Sequence, residues 1–433
     1  MKRDLMSDLI DWKNKNNRLP LILLGARQVG KTWLLKEFGN QCFKNVVYVN
    51  FERAEELRSY FDGEINPTRL ISILEVFSKI KITPENTLII FDEIQEQPRA
   101  LTSLKYFAEE AQEYFICAAG SLLGIALHEG TSFPVGKVDF LRLEPLTFKE
   151  FLWANNEELL VEYLENDSDA TPFQTKLFDL FKQYIVVGGM PGVVNVWLND
   201  KDFNQVDIAQ DRLINSYEQD FSKHTPKQLA AKIRAVWQSI PKQLSKENRK
   251  FIYGVIRDGA RAREYEDALM WLGDAGMTRI SYLVEKPGIP LNNYINRSAF
   301  KIFLLDVGLL RRMSGISPRS VIIGNRLLEE FKGVLAEQFV IQELSSQKNI
   351  KASYYWTSKS NAEIDFLITD GYDVFPLECK SGTNVHSQSL KVYRSRYSPR
   401  KAVRTSLLPF KEDDSLVNIP LYLIWRLENI ILR

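Results

Sequence analysis

Apolar and polar positions divide the chain into stretches of different period. Leu21–Leu24 is a continuous apolar run ending at a glycine, the pattern of a buried parallel strand. Val46–Asn50, Thr87–Phe91, Tyr114–Ala119 and Val138–Leu143 also read as strands, and residues 33–38, just behind the first strand, have helical period. Leu5, Met6, Leu9 and Trp12 share a face of a short amphipathic helix. From about residue 148 to residue 220 the period is helical, interrupted by the turn Gly188-Gly189-Met190-Pro191-Gly192. Lys232–Leu244, Glu247–Arg257 and Arg263–Asp274 read as three short helices punctuated by Gly259 and Gly276, and residues 278–291 as a hairpin. Three helices and a hairpin suggest a winged helix, with Arg257, Arg261 and Arg263 at the start of its third helix. A purely structural lid accounts for the same pattern.

The last third alternates. Ile364, Phe366 and Ile368 share one strand face and Glu363 and Asp365 the other; Phe375, Leu377 and Cys379 oppose Glu378 and Lys380. Paired as a hairpin, these strands bring Asp365, Glu378 and Lys380 together. Upstream, 333–344 reads as an amphipathic helix in which Glu337 falls among Val334, Val340, Ile341 and Leu344. A carboxylate in apolar company needs a partner.

Composition narrows the class. A chain of 433 residues has room for roughly three domains. Its 45% apolar and 26% charged residues exclude a disordered or fibrous chain. No apolar stretch approaches the ~18 residues of a membrane span, and the charged first residues lack a signal-peptide core. Cys42, Cys117 and Cys379 form no close pair, and His128, His224 and His386 are isolated, so a disulfide framework, a zinc knuckle and a histidine triad are not expected. These features suggest the cytoplasm and no membrane.

Charge is balanced overall, with 56 Lys and Arg against 55 Asp and Glu, but not locally. Residues 144–220 hold 15 acidic and 5 basic residues, whereas 221–263 hold 11 basic and 2 acidic. The switch suggests a domain change near residue 220 and a basic face beyond it, either a nucleic-acid surface or solvated helices. Residues 390–404 add six basic residues and two tyrosines without an acid.

Gly25-Ala26-Arg27-Gln28-Val29-Gly30-Lys31-Thr32 fits GxxxxGK[ST] between a strand and a helix, the setting of a P-loop. The glycines let the backbone curl so that its N–H groups, those of Arg27, Gln28 and Val29 included, cradle phosphate at a helix N-terminus. Lys31 is placed for the β- and γ-phosphates and Thr32 for Mg²⁺. About 60 residues on, the strand Thr87–Phe91 ends in Asp92, a second Mg²⁺ residue, and Glu93, which can polarise a water for attack. Ser121, at the end of the fourth strand, is a candidate sensor of the γ-phosphate. Kinase and GTPase signatures are missing. Arg99, Arg142 and Arg212 are equivalent choices for an arginine finger.

The Asp365…Glu378-x-Lys380 pattern is that of PD-(D/E)XK nucleases, in which carboxylates hold Mg²⁺ and the lysine orients water. Glu337 is the third candidate ligand. Over nearly its full length the chain resembles the prokaryotic AAA-superfamily ATPases that carry a C-terminal nuclease-like domain of unknown function. The resemblance rests on residues 25–32, 49–52, 88–95, 119–124, 143–152, 187–194, 363–368 and 376–382. It implies an α/β fold with ATP and Mg²⁺ at Lys31, Thr32, Asp92 and Glu93, and a nuclease-like site at Glu337, Asp365, Glu378 and Lys380. Gly136-Lys137 departs from the Gly-Arg common in relatives, and lysine lacks arginine's fork. The expected organisation is a P-loop ATPase core (1–152), a helical lid (153–222), a winged-helix-like domain (223–292) and a restriction-endonuclease-like α/β domain (293–433). The expected function is ATP hydrolysis coupled to DNA handling. The alternative is a nucleotide-controlled switch that binds a protein partner through an inert nuclease-like domain.

Overall fold

The computed structural model describes residues 1–432 except 54, 122–133, 167–168, 247–248, 325–328, 359–361, 383–386 and 414. His128, His386, residues 122–124 of the resembling stretch and the start of the helix expected at Glu247 lie outside the described residues. The chain forms two compact units: Lys2–Glu144 with Asp274–Gly276, and Pro145–Gly273 with Met277–Arg433 and Met1. One break between the two units falls at residues 144/145, and residues 222/223 and 292/293 lie inside one unit.

The N-terminal unit is built on β1 (Leu21–Leu24), β2 (Asn45–Asn50), β3 (Thr87–Asp92), β4 (Phe115–Ala119) and β5 (Asp139–Arg142). All neighbours pair in parallel, in the order β2-β3-β4-β1-β5. Parallel crossovers cover both sheet faces, so the central strands are apolar at every position rather than alternately. Leu88–Phe91 and Phe115–Ala119 are accordingly all buried. The five strands expected from the apolar runs form, with ends shifted by a residue. Helix Leu5–Asn14 buries Leu9 and Trp12. The Trp12 ring packs edge-on against Phe38 and Phe115, and its N–H donates to the Leu19 carbonyl at 2.9 Å.

The second unit opens with helices Phe148–Ala154, Glu158–Asn166, Gln174–Val187, Pro191–Asp200, Phe203–His224 and Lys227–Leu244. A capping box between Thr147 and Glu150 starts the first of them. The glycine turn is a close backbone crossing. The Leu146 N–H donates to the Gly189 carbonyl at 2.7 Å, and a Cβ on Gly189 would stand 2.1 Å from the Leu146 carbonyl oxygen. Asp306 ties the turn down by accepting the Gly189 N–H at 2.6 Å and capping helix Val307–Met313 through the Leu309 N–H at 2.9 Å. Burial pushes its carboxyl above the usual range.

The remaining chain makes an eight-stranded mixed sheet from β6 (Thr278–Val284), β7 (Ile295–Leu304), β8 (Lys351–Thr357), β9 (Glu363–Thr369), β10 (Val374–Cys379), β11 (Ala402–Ser406), β12 (Lys411–Asp413) and β13 (Leu416–Pro420), ordered β12-β13-β11-β10-β9-β8-β6-β7. The expected hairpin arm is therefore not a free wing: β6 pairs with β7 on one side and runs parallel to β8 on the other. The middle helix of the expected trio is also replaced. Among the described residues of 247–257 only a 3-10 turn forms, at Tyr253–Val255. The Gln243 side chain brackets the Ile252 backbone with two 2.9 Å bonds, and the Phe251 N–H donates to the Phe300 carbonyl at 2.8 Å, so tertiary partners hold this segment extended.

Helix Glu329–Ser345 is not amphipathic as expected; every residue from Val334 to Leu344 is buried. Its polar residues are matched by backbone: Gln338 makes bonds of 2.9 and 2.6 Å to Leu304, Gln342 accepts the Val307 N–H at 2.8 Å, and Glu343 accepts the Phe148 N–H at 2.7 Å. The basic stretch 390–404 is likewise internally occupied. Tyr393 and Tyr397 pack on Trp356, while Arg394, Arg400, Lys401 and Arg404 bond Ser415, Asp373, Glu412 and Asn418. Among the described residues no helix is long and apolar enough to cross a membrane.

Candidate nucleotide site and a carboxylate cluster

The P-loop lies between β1 and helix Lys31–Cys42. Gly25 has φ +146°, and a Cβ there would meet the Leu143 carbonyl oxygen at 2.3 Å, so only glycine fits. Gln28 and Gly30 are also left-handed, at φ 66° and 98°, giving the loop the curl that turns its N–H groups inward. Arg3 braces the loop from outside by donating to the Val29 carbonyl at 3.0 Å and to the Glu144 carbonyl. Gly276 closes on the loop too; a Cβ there would stand 3.3 Å from the Ala26 nitrogen and 3.4 Å from the Arg142 guanidinium.

Lys31 is buried, and its ammonium donates to the carbonyls of Gly25 and Ala26, both at 2.8 Å. Burial lowers its pKa to about 8, against the pull of Glu93 and Asp92; Arg27 and Arg142 add to the lowering. The Thr32 hydroxyl donates to Asp92 Oδ2 at 2.8 Å, joining the two residues expected to hold Mg²⁺. The Tyr48 hydroxyl donates to the same oxygen at 2.7 Å, and the Lys36 ammonium lies 3.6 Å from the Tyr48 ring centre. Burial pushes the Tyr48 phenol up. Glu93 is left-handed at φ 50°. Its carboxylate accepts from Gln95 Nε2 at 2.7 Å and from the Ser121 hydroxyl at 3.2 Å, so Ser121 faces Glu93 here.

Hard oxygen donors at a helix N-terminus, beside a lysine and a left-handed glycine loop, suit a magnesium–triphosphate. Tyr48, Gln95 and Arg3 were not singled out by sequence. The signal for Tyr48 was its strand: β2 neighbours β3, with Asn50 opposite Asp92. Of the arginine candidates, Arg99 is bound to the Phe61 and Gly63 carbonyls, whereas Arg142 lies by Lys31. Lys137 pairs with Glu109 at 3.0 Å.

The second cluster sits on β7, β9, β10 and helix Glu329–Ser345. Strands β9 and β10 form the expected antiparallel pair, with Leu377 opposite Phe366. Asp365 Oδ2 accepts the Cys379 N–H at 2.8 Å, and Glu378 Oε1 pairs with the Lys380 ammonium at 2.9 Å. Glu337, expected as a metal ligand, is met by two cations. Arg249 pairs with its Oε1, and the Lys301 ammonium lies 3.5 Å from its Oε2. Lys301 also pairs with Glu363 at 2.5 Å and lies 5.1 Å from the Tyr355 ring centre. Among the described residues no three His, Cys, Asp or Glu side chains converge to hold a metal ion.

Residues 17–152 match the family described as AAA domain. Residues 178–320 and 332–424 match two families described as Domain of unknown function (DUF8612) and Domain of unknown function (DUF4143). Its parallel sheet and P-loop give the N-terminal unit the fold of AAA-type P-loop ATPases. A comparison with curated proteins finds no match. Solved structures similar to the chain include the Walker-type ATPase PABY2304 of Pyrococcus abyssi, at 17% identity and TM-score 0.44, over 72% of this chain and 95% of that one. The Aeropyrum pernix ORC1 protein in complex with DNA is 14% identical with TM-score 0.27, over 72% of this chain and 90% of that one. Cdc6p from Pyrobaculum aerophilum is 12% identical with TM-score 0.25, over 73% and 92%.

Proposed function

We propose that this chain binds and hydrolyses ATP with Mg²⁺, and that the cycle serves DNA handling. The observation that carries the first part is the Thr32–Asp92 bond of 2.8 Å at the head of the P-loop helix, with Glu93 next in sequence. Thr32 and Asp92 would hold the Mg²⁺, which when bound neutralises charge on the phosphate oxygens. Lys31 gives up its carbonyl partners to meet the β- and γ-phosphates. The loop N–H groups from Gly25 to Thr32 fix the phosphate chain. Glu93 orients the attacking water, and Ser121 and Gln95 hold its carboxylate until then.

DNA handling draws support from the basic segment. Lys223, Lys227, Lys232, Lys242, Arg257, Arg261 and Arg263 are all exposed, as phosphate contact requires. The test is steady-state ATP hydrolysis with and without duplex DNA, using Lys31→Ala as the blank. DNA-stimulated turnover above the blank supports the reading; turnover indifferent to DNA overturns its second part. A protein-directed switch is the second reading. The ion pairs at Glu337 favour it, because they leave that carboxylate already paired within the chain.

A further inference from the structure

Three carboxylates of the C-terminal cluster are met by cations of the chain itself: Glu337 by Arg249 and Lys301, Glu363 by Lys301 and Glu378 by Lys380, while Asp365 accepts the Cys379 N–H. Lys301 sits deepest. Its side chain has no exposed surface, and its ammonium reaches Glu363 at 2.5 Å and Glu337 at 3.5 Å. A divalent ion asks for about six oxygen ligands, with carboxylates free to close on it. Here Asp365 Oδ2 accepts the Cys379 N–H and Glu378 Oε1 pairs with Lys380, so one oxygen of each is already engaged. Glu337 Oε2 and Glu378 Oε2 are buried without a hydrogen-bond partner among the described residues, but the Lys301 ammonium already stands 3.5 Å from the first, and two oxygens are not a ligand set. A metal entering beside Lys301 would also meet a like charge that burial prevents from swinging away.

We propose that Lys301 is a built-in counter-ion standing where the PD-(D/E)XK pattern calls for a metal. The cluster then recruits no divalent ion, and this part of the chain is a scaffold rather than a metal-dependent nuclease. The proposal is independent of the ATPase reading, since every residue it uses lies outside the P-loop unit.

The test uses the full chain, free of nucleotide, with Mn²⁺ as the probe. Mn²⁺ is titrated calorimetrically and melting is followed with and without it, for wild type, Glu378→Gln, Lys301→Met and Lys301→Met/Glu378→Gln. Wild type and Glu378→Gln should give the same isotherm. Lys301→Met, which leaves buried carboxylates short of a cation, should melt lower and be restored by Mn²⁺. It should also gain a site at least tenfold tighter than any in wild type, lost in the double variant. Wild-type Mn²⁺ binding that Glu378→Gln abolishes overturns the proposal. So does a folded Lys301→Met that gains no site. If Lys301→Met does not fold, the comparison of wild type with Glu378→Gln decides alone.

Discussion

Nucleotide affinity should fall as pH rises through the range of the Lys31 ammonium. Burial holds that group at about 8, and among the described residues it donates to the Gly25 and Ala26 carbonyls. A polyphosphate needs it charged and raises its pKa on binding. Only the charged fraction is competent, so affinity falls with that fraction: about half at pH 8 and roughly a tenth at pH 9. The expected loss between pH 7 and pH 9 is about tenfold, whereas a lysine at its ordinary value would lose almost nothing. Binding at pH 8 should take up about half a proton. Calorimetry of Mg–ATP binding in two buffers of different ionisation enthalpy measures both quantities. Working at pH 8–9 keeps the triphosphate fully ionised, so its own protons do not enter. A flat affinity from pH 7 to pH 9 with no linked proton would refute the argument that loop burial sets the charge of Lys31.

Lys31→Met should stabilise the fold near pH 7 by at most about 3 kcal/mol, read as a higher melting temperature, because the fold stops confining a buried charge; the gain should shrink as pH climbs from 8 toward 10.5. Glu93→Gln should bind ATP as wild type does while single-turnover hydrolysis slows at least ~100-fold, since the amide cannot draw a proton from water. Tyr48→Phe should cost about 1 kcal/mol of stability by thermal unfolding, the worth of its bond to Asp92. Gly189→Ala should destabilise by more than ~2 kcal/mol, because its Cβ meets the Leu146 backbone; Gly192→Ala, with open space around it, should change stability by less than ~0.5 kcal/mol.

The P-loop site was legible in the residues because its parts are local. A glycine loop, the lysine and threonine that follow it, and an acidic pair after an apolar strand are each fixed by a few consecutive positions. The central strands, covered on both faces, announce themselves as apolar runs, and all five strands of that sheet could be read although β2 and β5 are only partly buried. The C-terminal hairpin was legible for a similar reason, its alternation placing Phe366 and Leu377 together.

Tertiary structure decided which charges meet. Nothing near Glu337 in sequence announces Lys301 or Arg249, yet these turn a candidate metal ligand into one end of two ion pairs. The same holds for Tyr48 on Asp92 and Arg3 on the P-loop, and for residues 251–252, drawn out of a helical pattern by Phe300 and Gln243. Period and propensity record what a residue does with its neighbours in the chain. A buried polar group takes its partner from whichever element the fold brings within about 3 Å, and that distance exists only once the chain has closed on itself.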